Sequence, residues 1–223
     1  MLISSGAIER PLVFGNNDTP GVMLSSAAKE YLKVYGVLVG KKPLIFTNND
    51  SGYETAIEFK KNGVDPIILD TRKDPKSEII DEAKKLDIQI KFSYVVVAAK
   101  GYKKVKSAEV AKISDDKNEL GTLETINCDC ICVSGFWTPT IHLASQSGNK
   151  TTFNKDIDAF LPGISKQNET TLGAANGTFT LEETLKNSFD SGYELSKKMT
   201  NNDNKISLPT VMEKKSTTHD KFW

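Results

Sequence analysis

Long apolar runs are missing from this 223-residue chain. No stretch approaches the roughly 20 residues a membrane-spanning helix needs, and Met1-Leu-Ile-Ser-Ser5 has neither the basic nor the long apolar region of a secretory leader. The expected location is therefore the cytoplasm. An excess of charge is also absent: 29 basic residues face 29 acidic ones, so no positive field exists to recruit nucleic acid or an anionic membrane, and neither is expected as a partner. Cysteine is scarce. Cys128, Cys130 and Cys132 occupy alternate residues of one apolar run, whereas metal sites usually separate paired thiolates by two residues. Buried structural thiols, all three facing one way on a strand, are the expectation, with no metal site. His142 and His219 have no orienting partner visible in the sequence, and Ser145, Gln146 and Ser147 have no activating group beside them. No catalytic residue is assigned.

What remains is a chain long enough to bury a substantial core, with an alternation of strand and helix signals. Leu24, Ala27, Ala28, Tyr31 and Leu32 recur at helical spacing up to Gly36. Pro43–Thr47 reads as a strand, Asn48-Asn-Asp-Ser-Gly52 as a tight turn, and Ala56, Ile57 and Phe59 as the face of a helix closed by Asn62-Gly63. Asp65-Pro-Ile-Ile-Leu-Asp70 supplies the next strand, so this is a βαβ unit with a parallel sheet and a right-handed crossover. A helix from Ser77 to Leu86 and a strand from Ile88 to about Val97 continue the pattern. Short alternating segments from Gly101 to Leu123 predict an antiparallel meander, Cys130 to Val133 a return strand, and Lys100 to Lys106 a solvated strand face. Thr170–Leu172, the turn Gly173-Ala-Ala-Asn-Gly177 and a helix from Leu181 to Met199 follow, and the polar stretch from Thr200 reads as a linker.

Pyrophosphate-binding folds bring a glycine-rich strand-to-helix turn up to the anion, so that backbone N–H groups and the helix N-terminus face it. Here that turn is Thr47-Asn48-Asn49-Asp50-Ser51-Gly52. Only the last glycine of the G-x-G-x-x-G pattern is present, with Thr47 and Asn49 in place of the first two, and Asp50 adds repulsion. Gly52 either serves a cofactor or merely lets the helix pack closely on the strand. Asp70, at the end of the second strand, is placed to bind a ribose, or it pairs with Arg72. Gly173, Asn176 and Gly177 precede a helix and either present N–H groups to a nucleotide or form only a tight turn. Finally, Ser5-Gly6…Pro11 and Ser134-Gly135…Pro139 share a design, a small residue, Gly, a short spacer and Pro. Such segments mark crossings between the two domains of two-dinucleotide-domain flavoproteins. Gly6 is thus a further candidate, and Trp137 is read as interface packing.

Gly6-Ala-Ile-Glu-Arg-Pro-Leu-Val-Phe14, Asn17-Asp18, Pro20-Gly-Val-Met-Leu24, Phe46-Thr-Asn-Asn-Asp-Ser51 and Ser134-Gly-Phe-Trp-Thr-Pro139, with His142-Leu143 and Ser145-Gln-Ser-Gly148, together resemble the alpha subunits of heterotetrameric sarcosine oxidases. The likeness extends through Gly173–Gly177 to about Met199. It implies an α/β, Rossmann-like fold with two dinucleotide-binding domains, truncated at both ends. Residues 1–22 would belong to a flavin-like domain, 23–137 to an inserted NAD-domain-like module and 138–199 to the flavin-like domain again, with 200–223 a linker. The implied setting is a complex that oxidatively demethylates sarcosine to glycine. NAD would be held by this subunit in its flavin-like domain, with Gly6, Gly173, Asn176 and Gly177 the candidates there and Thr47, Asn49, Gly52 and Asp70 the candidates in the inserted module. FAD and FMN would lie in the partner flavin-bearing beta subunit or at the interface. A first glycine-rich turn would precede Met1 and a folate region would follow Trp223, so the segment is not expected to be catalytically competent alone. The rival expectation is a nucleotide-free scaffold in a related amine or amino-acid dehydrogenase complex.

Overall fold

The computed structural model describes residues 1–200 together with 207, 208, 211 and 219; the expected linker lies almost wholly outside them. Strands β1 (Leu2–Ile3) and β2 (Ala7–Glu9) open the chain, and β3 (Val22–Leu24) leads directly into α1 (Ser25–Tyr35). Gly36 ends that helix at φ 65°, its N–H donating to Leu32 O while the Val37 N–H reaches Tyr31 O. This left-handed cap is a conformation that glycine adopts without steric cost. Next come β4 (Pro43–Thr47), α2 (Ser51–Lys61), β5 (Ile67–Asp70), α3 (Glu78–Lys85) and β6 (Gln89–Phe92). The antiparallel strands β7 (Tyr94–Lys100), β8 (Ser107–Lys112) and β9 (Glu124–Asn127) then form a meander, of which only β8 lies within Gly101–Leu123, the span expected for it. Lys100–Lys106, expected as a strand face, instead becomes the tip between β7 and β8, closed by Lys106 N–H on Lys100 O. Strand β10 (Cys130–Ser134) returns between β3 and β4, completing a parallel sheet of order β3-β10-β4-β5-β6.

The remaining chain forms β11 (Trp137–Pro139), α4 (His142–Gln146), the hairpin β12 (Thr152–Asn154) and β13 (Ala159–Leu161), β14 (Thr170–Thr171), a single 3-10 turn Gly173–Asn176, and α5 (Leu181–Thr200). Thr180 caps α5. Its hydroxyl accepts from the Glu183 N–H, as an N-cap does, and donates to the Glu183 carboxylate. The chain divides into two compact units. One is assembled from Met1–Ile8 and the chain that follows from Trp137; the other is built on Glu9–Phe136 and is called the inserted unit below.

Period-two alternation explains the core of the inserted unit. Leu44, Phe46, Leu69, Ile131 and Val133 face the meander and pack with Val95, Val105 and Val110. Ile45, Ile68, Cys130 and Cys132 face the helices and pack with Ala28, Tyr53, Phe59 and Ile80. Two expectations are corrected here. The strand expected from Ile88 to Val97 breaks at Ser93, whose φ of 57° turns the chain, because β6 pairs with β5 while β7 pairs with β8 in another sheet. And Cys128 does not share a face with the other two thiols: it precedes β10 and packs on the meander side, while Cys130 and Cys132 pack on the helical side.

All three cysteines are free and buried. Burial, reinforced by Cys130 and Asp129, pushes the Cys128 thiol up to about 12. The hydrogen bond with Cys130, and then burial, raise that of Cys132. Thiols of the unfolded chain ionise from roughly pH 8.5, so between that pH and about 12 the unfolded state sheds a proton that native Cys128 keeps. Stability present at neutral pH is therefore lost as pH rises through this window. Urea midpoints at pH 8 and pH 10.5 are expected to fall less for Cys128→Ala than for the wild type; an equal fall would show that Cys128 does not contribute.

Candidate functional site

Thr47, Asn49, Gly52 and Asp70 come together at the carboxyl ends of β4 and β5, the edge where open α/β sheets take their ligands. What the sequence did not reveal is how fully their polar groups are committed to one another. The Thr47 hydroxyl donates to Asn49 O at 2.9 Å and accepts the Asn49 N–H at 3.2 Å. The Asn49 side chain donates to Ser134 O at 3.0 Å and accepts the Ser51 N–H at 2.8 Å. The Asn48 N–H is taken by Ser134 O, the Tyr53 N–H by Asp50 O and the Thr71 N–H by Thr47 O. Gly52 packs α2 against β4, since a Cβ there would lie 2.7 Å from Thr47 Cβ.

Asp70 is wholly buried and Arg72 is 6% exposed. Arg72 donates from Nε and Nη2 to Asp70 at 2.8–3.2 Å and from Nη1 to Asp50 at 2.8 Å. The Tyr53 hydroxyl donates to Asp70 Oδ2 at 2.6 Å. Burial works against the guanidinium charge, but the hydrogen bonds to Asp70 and the charges of Asp70 and Asp50 outweigh it and hold Arg72 protonated. Burial and the Asp70 carboxylate push the Tyr53 phenol far above its usual range. The pairing of Asp70 with Arg72 was legible from their two-residue spacing. Asp50 and Tyr53 were missed as members, because nothing in a sequence fixes which side chains of a helix start reach the next strand.

In the other unit, β1 and β14 pair in parallel, with Leu2 opposite Thr170 and Ile3 opposite Thr171. The segments that leave their carboxyl ends carry Gly6 and Gly173 respectively. Gly6 has φ 75° and open space where a Cβ would stand; its carbonyl accepts the Thr140 N–H at 2.9 Å. Gly173 has φ 63° and Gly177 φ 78°. A Cβ at Gly177 would come within 2.8 Å of Leu161 Cδ2. The first N–H groups of a 3-10 turn find no acceptor within it, and Asn176 at its end is exposed. The helix α5 behind it is already capped by Thr180, so the donors on offer are those of the turn rather than of the long helix expected from the sequence. Nearby in the chain, Glu169 is bound by Ser147 at 2.6 Å and by Asn149 at 2.8 Å, which ties α4 to the start of β14. His142 begins α4 on an exposed position, and His219 stacks on Phe136 with centroids 4.1 Å apart.

No protein-family model matches the chain. The sarcosine oxidase alpha subunit of Rhizobium meliloti (strain 1021) is 40% identical over 179 residues, 79% of this chain and 17% of that subunit. That of Corynebacterium sp. (strain P-1) is 32% identical over 187 residues, 83% of this chain and 19% of the relative. The chain is similar to one segment of sarcosine oxidase alpha subunits. It spans less than a fifth of the length of these relatives. Among solved structures, thioredoxin reductase from T. acidophilum aligns over 80% of this chain and 58% of its own, with a TM-score of 0.61 at 16% identity. L-proline dehydrogenase from P. horikoshii aligns over 88% of this chain and 34% of its own, with a TM-score of 0.57 at 19% identity. The resemblance to the oxidase subunits and the Rossmann-like flavoprotein fold expected from the sequence are both borne out. Among the described residues no helix is long and apolar enough to cross a membrane, and no cluster of His, Cys, Asp and Glu has metal-holding geometry.

Proposed function

We propose that the chain is the nucleotide-holding and assembly segment of an oxidoreductase complex of the sarcosine oxidase kind, one that oxidatively demethylates sarcosine to glycine. The observation that carries this reading is the convergence of Gly6 and the Gly173–Gly177 turn at the carboxyl ends of two adjacent parallel strands, in a chain similar to alpha subunits of that oxidase. Gly6 leaves open space where a Cβ would stand, Gly173 and Gly177 allow the left-handed backbone of the turn, and the N–H groups of the turn suit a phosphate. The nucleotide assigned here is NAD. FAD and FMN belong to the partner beta subunit or its interface, and the complex works in the cytoplasm, where buried free thiols such as these persist. This segment binds and positions; the chemistry on the amine is done elsewhere in the complex.

A second reading, a nucleotide-free scaffold of a related amine or amino-acid dehydrogenase complex, draws support from the internally bonded turn at Thr47–Gly52. The complete parent subunit, co-purified with its partners and denatured, separates the two by chromatography and mass spectrometry of whatever is released. NAD together with flavins is expected. Flavin alone, with no nicotinamide nucleotide, would leave the scaffold reading standing.

A further inference from the structure

We infer that the strand-turn-helix of the inserted unit is a self-filled nucleotide site, latched by Arg72 and closed to dinucleotides. A pyrophosphate at such a turn needs free backbone N–H groups, room for its oxygens beside the chain, and a helix N-terminus not already facing a negative charge. Each requirement is taken by the protein's own atoms. The N–H groups of Asn48, Asn49, Ser51 and Tyr53 all have internal acceptors. The Thr47 side chain fills the gap over which α2 crosses β4, within 2.7 Å of where a Gly52 Cβ would stand. At the start of α2 stands the Asp50 carboxylate, which makes no cap bond to the helix N–H groups and is held by Arg72, so an incoming anion meets a negative charge there.

Asp70 and Arg72 complete the closure. In a dinucleotide domain a carboxylate at the end of the second strand takes ribose hydroxyls, or an arginine nearby takes a 2′-phosphate. Here the two are spent on each other: Asp70 accepts from Arg72 Nε and Nη2, from the Arg72 backbone N–H and from Tyr53, and Arg72 also holds Asp50. A guanidinium bound to two buried carboxylates is a poor ligand for a third anion, since the incoming phosphate must displace one of them. Both ends of a dinucleotide, pyrophosphate and adenosine ribose, thus lose their contacts to the same network.

The test uses the 223-residue chain and two probes, NAD and inorganic pyrophosphate, in thermal-shift titrations of the wild type, Thr47→Val, Asp50→Asn and Gly173→Val. Thr47→Val and Asp50→Asn alter the turn while keeping its volume, and each is expected to change either apparent Kd by less than twofold. A wild-type affinity that weakens tenfold in Thr47→Val or Asp50→Asn, but not in Gly173→Val, would overturn the inference. Weakening in Gly173→Val alone supports both this inference and the proposed function. If neither probe shifts the wild type, the turn is closed as inferred and it is the nucleotide-holding reading that fails. Photolabelling of the wild type with an azido-NAD, followed by peptide mapping, gives the same answer without any variant: label within residues 43–76 contradicts the closed turn.

Discussion

Arg72→Met is expected to be strongly destabilising, with a loss of about 3–5 kcal/mol, because it leaves two buried carboxylates facing each other without their cation. For a unit of this size that is a fall in Tm of roughly 10 °C or more. Tyr53→Phe removes one hydrogen bond to a charged acceptor, so its expected cost is about 1.5–3 kcal/mol, and Asp50→Asn keeps a hydrogen-bonding partner on the rim of the network. Neutralising everything at once, with Arg72→Met, Asp50→Asn and Asp70→Asn together, is expected to recover stability relative to Arg72→Met alone. Differential scanning calorimetry of the set checks the order. If Arg72→Met costs no more than Tyr53→Phe, the guanidinium is not what holds the two carboxylates together.

Much of this fold was legible because its signals are local. Leu44, Phe46, Ile131 and Val133 alternate with Ile45 and Cys132 on strands buried on both faces, Gly36 stops α1 by its left-handed backbone, and Asn62-Gly63 closes α2 with the Asn62 side chain donating to Glu58 O. The misreadings came where a local pattern crosses from one sheet to another. Ile88–Val97 is apolar enough to be one strand, and only pairing with two different partners forces Ser93 into the left-handed region. Cys128 follows the alternation of Cys130 and Cys132 in sequence but precedes the strand in space, so its thiol points into the other core. The candidate site was half legible for a related reason. The missing glycines at Thr47 and Asn49 announce that the turn is not an ordinary pyrophosphate cradle. What replaced the ligand depends on Asp50, Tyr53 and Arg72 meeting across strand and helix, and no spacing rule reports that.

Gly173→Val is expected to strip nucleotide from the complete parent subunit, by at least tenfold in occupancy, while Asp70→Ala leaves nucleotide per folded complex unchanged despite its cost to stability. At φ 63° a β-branched residue costs on the order of 1–3 kcal/mol in backbone strain. Its Cβ would also stand 3.2 Å from Thr184 Cγ2, so the turn must either shift or push on the first turn of α5. Either movement displaces the N–H groups of the 3-10 turn from the edge they share with Gly6, and 1.4 kcal/mol of lost binding already accounts for a tenfold change. Asp70 has no hydrogen-bonding direction to spare for a ribose, so its removal unbalances Arg72 without touching a ligand. Nucleotide released from each purified variant complex, quantified against protein, separates the two effects. The opposite order, with occupancy lost in Asp70→Ala and kept in Gly173→Val, moves the nucleotide into the inserted unit and requires the Arg72 network to open when it binds.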